Sequence, residues 1–266
     1  MKVAIVNNGE ENSVRVAKRL MELLLDEKIK IDENTPEFVI SVGGDGTLLK
    51  AFHNYQHRLS EVKFLGVHTG HLGFYTDWRD FELEELVASL KENRANSVSY
   101  PILDVQIGFR DGTKSKHYLA LNESTIRRGS RTLVGDVLIS DELFERFRGD
   151  GLSISTPTGS TAYNKSVGGA VIHPSIKAIQ LAEIASLNNR VFRTLGSPIV
   201  IGQNEWVKVA LQESDDYAVM IDQLEIKAEN ISSVCYRIAS EEIHFASYRH
   251  THFWNRVKDA FIGDGE

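Results

Sequence analysis

Gly43-Gly44-Asp45-Gly46-Thr47, set directly behind the apolar run Phe38-Val39-Ile40-Ser41-Val42, constrains this chain more than any other feature. A short β-branched run reads as a buried strand, and three glycines around one carboxylate read as a tight turn opening a helix. Glycines let a backbone approach a phosphate closely, and amides at a helix N-terminus favour negative charge. A carboxylate is out of place in a loop that only binds anions, because it repels phosphate. A turn needing positive φ explains the glycines and leaves Asp45 unexplained. Its presence implies work on a proton or on a metal ion beside the phosphate.

The first hundred residues alternate strand and helix signals. Val3–Val6 reads as a strand, and Ser13–Leu25 as a helix with Val14, Ala17, Leu20, Leu23 and Leu24 on one face. Phe38–Val42, a helix over Leu48–Tyr55, a strand over Phe64–Val67 and a helix over Phe81–Leu90 follow. This order predicts a parallel sheet with right-handed crossovers and its loops gathered at the strand C-terminal ends. Near Tyr100-Pro101 the pattern changes. Ile102–Phe109 and His117–Leu121 flank the hairpin signal Asp111-Gly112, and Val134–Ile139 and Leu143–Phe147 flank another polar turn. Strand-like runs recur at Val207–Leu211, Ala218–Ile221 and Val234–Ala239, interrupted by one expected helix over Ile176–Ala185. Phe253–Phe261 alternates aromatic and basic residues at helical spacing and reads as a terminal helix docking on the first domain. The predicted fold is an α/β N-terminal domain with a parallel Rossmann-like sheet over residues 1–100, completed by about 245–266. A β-rich, sandwich-like domain is expected over residues 101–244.

Composition narrows the function classes. With 266 residues, 42% of them hydrophobic, the chain can bury a sizeable core. A formal net charge of -7 argues against a nucleic-acid partner, which requires a basic face. The lone Cys235 excludes an internal disulfide, fits a reducing compartment, and lies in a strand-like stretch as a packing thiol. Met1–Val6 is too short an apolar run for a signal peptide or a membrane span, and no long apolar stretch follows. A soluble cytoplasmic protein with no membrane partner is expected.

Two more clusters carry chemistry. Leu121-Asn122-Glu123-Ser124 closes a strand-like run. A carboxylate there can accept from vicinal ribose hydroxyls, while the carboxamide both donates and accepts. Taken alone, the dipeptide equally fits a solvated turn. The stretch from Gly149 to Gly169 is dense in hydroxyls and glycines, with Pro157 and Gly159 shaping a turn and a helix expected from near Thr161. Hydroxyls and exposed amides suit a sugar-phosphate ligand, and Tyr163 can stack on a ring. His68 and His71 sit three residues apart in a glycine-rich loop, a poor spacing for metal ligation, and no metal ligand is assigned. Ser160 lacks a nucleophile-elbow context and no Walker-type loop occurs, so neither acyl transfer nor a P-loop NTPase is supported.

The glycine-loop pentapeptide, the Asn122-Glu123 pair and Thr156-Pro157-Thr158-Gly159-Ser160-Thr161-Ala162-Tyr163, in this order and spacing, resemble bacterial NAD kinases. The resemblance covers nearly the whole chain and is closest in length and spacing to Gram-positive members. The glycine loop alone is shared with diacylglycerol, sphingosine and 6-phosphofructokinases. The resemblance implies transfer of the γ-phosphoryl group of ATP to the 2′-hydroxyl of the adenosine ribose of NAD, giving NADP. It implies Asp45 as general base, with Gly46 bringing backbone close to NAD. Asn122 and Glu123 would hold the adenosine end, and Phe74 and Tyr75 would wall the adenine pocket. Asp150 would approach the nicotinamide side. Thr158, Thr161, Ala162, Tyr163, Asn164, Lys165 and Ser166 would complete the dinucleotide site, with Ala185 lining it. Arg148 and Asp150 would be offered across a subunit contact, since such kinases are homodimers or homotetramers. A divalent cation, Mg²⁺, would accompany ATP. Many members have Gly-Val-Asn, Gly-Phe-Leu and Asp-Gly-Gln where this chain has Gly66-Val67-His68, Gly73-Phe74-Tyr75 and Asp222-Gln223-Leu224. Tyr75 and Gln223 therefore mark where this site would differ. The competing readings are a lipid or sugar-phosphate kinase of the same superfamily and a non-catalytic NAD-sensing module.

Overall fold

The computed structural model describes residues 1–70, 73–92, 97–129, 131–214, 216–227, 229–246 and 253–263. The chain divides into two compact units, one formed by Met1–Tyr100 with Glu242–Glu266 and the other by Pro101–Glu241.

The first unit contains β1 (Lys2–Asn7), α1 (Glu11–Asp26), β2 (Lys30–Ile31), β3 (Phe38–Val42), α2 (Asp45–Tyr55), β4 (Lys63–His68), β5 (Trp78–Arg79) and α3 (Leu83–Glu92). The strands run parallel in the order β2-β1-β3-β4, and β5 pairs in parallel with β4. Every residue of β3 is buried, as a central parallel strand covered on both faces requires. The α1 face turned to the core carries Ser13, Val16, Ala17, Leu20 and Leu24. Val14, expected on that face, is exposed, because the buried stripe follows spacings of three and four from Ser13. The chain leaves β1 toward β2 and leaves β3 toward β4, so the crossovers diverge between β1 and β3. That switch point is where open parallel sheets place ligands, beyond the strand C-terminal ends.

The second unit is antiparallel. It contains β6 (Ser97–Phe109), β7 (Lys116–Ala120), β8 (Glu123–Arg128), β9 (Leu133–Ile139), β10 (Glu142–Gly149), β11 (Gly151–Ser155), a single 3₁₀ turn (Thr158–Thr161) and a four-residue α4 (Tyr163–Ser166). It continues with β12 (Ala178–Ile184), β13 (Ile199–Gly202), β14 (Val207–Leu211), β15 (Tyr217–Ile221), β16 (Leu224–Lys227) and β17 (Ile231–Ala246), whose last residues reach the first unit. One sheet runs β13-β12-β11-β8-β15-β16 and the other includes β10-β9-β14-β17. Leu103, Val105, Ile126, Phe147, Leu152, Ile154, Val209, Val219 and Tyr236 belong to one buried apolar cluster. After β17, α5 (Phe253–Phe261) closes the first unit, as its helical spacing predicts.

One expected element is wrong. The stretch read as a helix over Ile176–Ala185 is β12, paired antiparallel with β11 on one side and β13 on the other. Its residues favour helix locally, but all except Glu183 are buried from Ala178 to Ile184, and a strand sandwiched between two others buries both faces. Cys235 sits in β17, partly buried, and burial pushes its thiol pKa up, as for a packing thiol rather than a nucleophile.

Candidate functional site

The glycine loop forms the junction between β3 and α2. Gly43 has φ 151°, and a Cβ there would lie 2.2 Å from Thr47 Oγ1, so only glycine fits. Gly44 caps α2, and Asp45 is its first residue. The helix N-terminus favours the Asp45 charge. Both carboxylate oxygens are aimed by backbone donors: the amide of Phe74 donates to Oδ2 at 2.9 Å and that of Tyr75 to Oδ1 at 3.0 Å. An ionised carboxylate has about four acceptor positions, so two amides orient it without saturating it. Asp45 keeps partial exposure. Gly73 lies so close that a Cβ there would sit 2.2 Å from Asp45 Oδ1. The Tyr75 ring is buried and stacks on Phe245, with centroids 5.8 Å apart and planes at 2°, while Phe74 is half-buried. Phe74 and Tyr75 thus anchor Asp45 through their amides. Of the two histidines, His68 is buried with Nδ1 3.0 Å from the Gly70 carbonyl, and His71 lies outside the described residues.

In the second unit, Asn122 precedes β8 and Glu123 opens it. The dipeptide is no solvated turn, since both side chains are buried. Asp222, at φ 50° in the turn after β15, accepts from the amides of Leu121 at 2.9 Å, Asn122 at 2.7 Å and Glu123 at 3.3 Å. Glu123 Oε2 is buried with no hydrogen-bond partner. Burial first, and the nearby Asp222 charge second, raise the Glu123 pKa to about 8. Asp222→Ala is expected to cost about 3 kcal/mol or more in urea denaturation, at ~1–3 kcal/mol for each of three buried amides left without an acceptor. Asp222→Asn keeps a carbonyl acceptor and tolerates positive φ, so it should lose less; equal losses would argue against the amide account.

The hydroxyl-rich stretch behaves differently from its composition. Gly151–Ser155 is the fully buried strand β11, and Ser155 pairs with Glu123. The Thr156 hydroxyl donates to the Leu121 carbonyl at 2.6 Å, Thr158 donates to the same carbonyl at 3.0 Å, and Thr161 donates to the Thr158 carbonyl. Ser160 bonds the backbone of Ile172, and Ser166 donates to the Tyr163 carbonyl. These hydroxyls fold the turn onto Leu121-Asn122 before any ligand arrives. Asn164 is fully buried, and both polar atoms of its carboxamide lack a partner. Tyr163 carries the Arg127 guanidinium 5.3 Å above its ring and accepts from it at its hydroxyl. Ala162 is half-buried and Lys165 exposed.

Arg148 stacks 4.2 Å over Phe192, and exposed Asp150 follows β10. Ala185 is exposed at φ 46° just beyond β12, and Gln223 is exposed between β15 and β16. Reading the sequence misses Asp222 and the C-terminal Arg256, because each acts across about a hundred residues or more. The turn dipeptide Asp222-Gln223 was the available signal for the first. Among the described residues no group of three His, Cys, Asp or Glu side chains is placed to hold a metal ion.

A family model for the ATP-NAD kinase N-terminal domain matches residues 27–95, and one for the ATP-NAD kinase C-terminal domain matches residues 121–246. The chain is 74% identical over 264 residues to an NAD kinase of Enterococcus faecalis, covering 99% of this chain and 100% of that one. It is 57% identical over 263 residues to one of Levilactobacillus brevis, covering 99% and 98%. Among solved structures it resembles yeast NADH kinase complexed with NADH, with a TM-score of 0.85 and 18% identity over 100% of this chain and 88% of that one. It also resembles an NAD kinase from Archaeoglobus fulgidus in complex with ATP, with a TM-score of 0.79 and 22% identity over 100% of both chains.

Proposed function

Since the chain belongs to the NAD kinase family, its reaction is phosphoryl transfer from ATP to NAD, and we propose that Asp45 is the general base that takes the proton of the adenosine-ribose 2′-hydroxyl. The observation that carries this role is the Asp45 carboxylate, partly exposed at the start of α2 and aimed by two amides. Phosphoryl transfer needs positioning, neutralisation of phosphate charge and a destination for one proton. The α2 N-terminus and the glycine amides suit the first two, and Asp45 suits the third. A sensing module would have no use for a base aimed in this way, and family membership sets aside the lipid and sugar-phosphate kinase readings.

Asn122 and Glu123 hold the adenosine end of NAD in this reading, with Gly46, Phe74, Tyr75, Asp150, Thr158, Thr161, Ala162, Tyr163, Asn164, Lys165, Ser166 and Ala185 contributing to the dinucleotide site, and Gln223 beside them. The unpartnered Glu123 Oε2 supports it, because a ligand would supply the bond it lacks. The internally bonded threonines contribute shape and backbone. A divalent cation, Mg²⁺, is assigned to the ATP phosphates, because Mg²⁺ keeps several waters and is commonly held by substrate phosphates with one or two carboxylates. When bound it offsets phosphate charge.

Glu123 provides a test of the adenosine contact. With its pKa raised to about 8, the side chain is mostly protonated at pH 7 before NAD binds. Two ribose hydroxyls favour the ionised acceptor, so binding should release close to one proton and affinity should rise toward pH 8. Calorimetry in buffers of different ionisation enthalpy reads this directly. Glu123→Gln should abolish the release, and an unchanged release in that variant would sink the contact. The same shift works on stability. The folded state holds the proton between 4.5 and about 8 while the unfolded chain has lost it, so the Glu123 contribution to stability falls as pH rises through that window.

The reading places the protein in the cytoplasm as a homodimer or homotetramer. No described helix is long and apolar enough to cross a membrane. Exposed Leu143 and Phe144 on the edge strand β10, with exposed Leu187, Val191 and Leu195, support self-association through the second unit. Light scattering after size exclusion tests it, and a monomer at micromolar concentration would remove that part.

A further inference from the structure

The α5 helix carries a buried cation whose role nothing in the sequence motifs explains. Arg256 is 4% exposed, and one turn of an exposed helix does not require a buried guanidinium for packing. Taking such a charge out of water costs several kcal/mol unless it is paired and hydrogen-bonded. Here Nη2 pairs with the Asp77 carboxylate, and Nη1 donates to the Phe74 carbonyl at 2.5 Å. Burial lowers the Arg256 pKa and the charge of Asp45 opposes that shift, while the guanidinium stays charged.

The Phe74 carbonyl belongs to the same peptide group as the Tyr75 amide, and that amide donates to Asp45 Oδ1. In a trans peptide the C=O and N–H point in opposite directions. One planar unit therefore lies between a guanidinium and a carboxylate, its dipole aligned with both. Turning the peptide by even a modest angle breaks the bond to Arg256 and the bond to Asp45 together. Hydrogen bonds in such a chain polarise one another. The rest of the segment is fixed from other sides, by the Asp77 amide on the Gly66 carbonyl, by Gly73 on Thr76, and by the Tyr75–Phe245 stack. Phe261, from the same helix as Arg256, lies 5.7 Å from the Phe74 ring.

We propose that Arg256 is a positioning residue for Asp45, acting through the Phe74–Tyr75 peptide, so that α5 sets the aim of the catalytic carboxylate. The proposal rests on Asp45 being the base. It assigns the last helix a share in turnover beyond closing the fold.

Steady-state kinetics on Arg256→Met, Arg256→Lys and their combinations with Asp45→Asn test it. Arg256→Met should lose about 10- to 100-fold in kcat, the scale of a misplacement near 1 Å, while KM for NAD stays within about three-fold. Arg256→Lys keeps the charge but not the two-directional fork, so its kcat should fall between the two, which also serves if the methionine variant does not fold. Millimolar guanidinium or ethylguanidinium should restore part of the kcat of Arg256→Met without changing its KM. In an Asp45→Asn background, adding Arg256→Met should cost little more in turnover. Full additivity there, or kcat within two-fold of wild type in both Arg256 variants, overturns the proposal. The outcomes separate the two readings: turnover unaffected by Asp45→Asn removes the base, whereas a crippled Asp45→Asn beside fully active Arg256 variants removes only the positioning role.

Discussion

Asp45→Asn is expected to lower turnover by ~100-fold or more, the scale of a lost general base, while NAD affinity stays within about three-fold. The substitution keeps the size and planarity of the side chain. It also keeps one carbonyl oxygen to accept from the Phe74 or Tyr75 amide. What it removes is the second acceptor and the ability to take a proton. The expected effect therefore lies in kcat, because a secondary hydroxyl is a poor nucleophile while its proton has nowhere to go. If Asp45 served only to tie the 73–77 loop to α2, the variant would lose stability, and turnover would recover at lower temperature. Steady-state kinetics, paired with fluorescence titration of NAD, distinguish the two.

Gly73→Ala should reproduce much of that loss without touching the carboxylate. The added Cβ would lie 2.2 Å from Asp45 Oδ1, 2.6 Å from Cγ and 2.8 Å from Oδ2. Real carbon–oxygen contacts do not come that close, so either the carboxylate or the loop must give way by about an ångström. The carboxylate is held by two amides, and the loop by Arg256, Thr76 and the Tyr75 stack. Either movement spoils the aim, and misplacement on that scale costs about 100-fold in favourable cases. Gly70→Ala is the control from the same loop, since nothing lies within 4 Å of its added Cβ. Turnover should fall about 10- to 100-fold in the first variant and hold within two-fold in the second, both remaining folded by circular dichroism. Equal kinetics for the two would mean that the placement of the Asp45 carboxylate does not matter.

The local signals in the sequence were strong where chemistry and secondary structure coincide. An apolar run ending in glycines specifies β3 and the start of α2, and a helical stripe specifies α5 over Phe253–Phe261. The signal failed where burial overrides pattern. Ala178–Ile184 has helical composition and is an interior strand, and Gly151–Ser155 is rich in serine and glycine yet is wholly buried. Gly151–Ser155 alternates leucine and isoleucine with serine as a half-exposed strand would, yet both faces of β11 are buried.

The site shows the same division. Asp45 stands out in the sequence because a carboxylate contradicts a glycine loop otherwise suited to phosphate. What aims it does not, since the Phe74 and Tyr75 amides have no sequence signature and Arg256 lies 182 residues from its carbonyl partner. The threonines from 156 to 161 looked like ligand contacts by composition. The hydroxyls of Thr156 and Thr158 donate to the Leu121 carbonyl and that of Thr161 to the Thr158 carbonyl, because a buried hydroxyl needs a partner whether or not a ligand is bound. Asp222 stayed hidden for the related reason that its three amide partners lie a hundred residues away.

A single-turnover experiment bears most directly on the role of Asp45. Enzyme preloaded with NAD is mixed with excess Mg²⁺-ATP, quenched in acid at intervals, and the NADP formed is resolved by chromatography, for wild type and for Asp45→Asn. Product release and multiple binding events drop out, so the rate reports the transfer step alone. Wild type should convert its bound NAD to NADP in one phase, and Asp45→Asn should do so at least ~100-fold more slowly with the same amount of NAD bound. Equal single-turnover rates in the two proteins would contradict a proton transfer to Asp45.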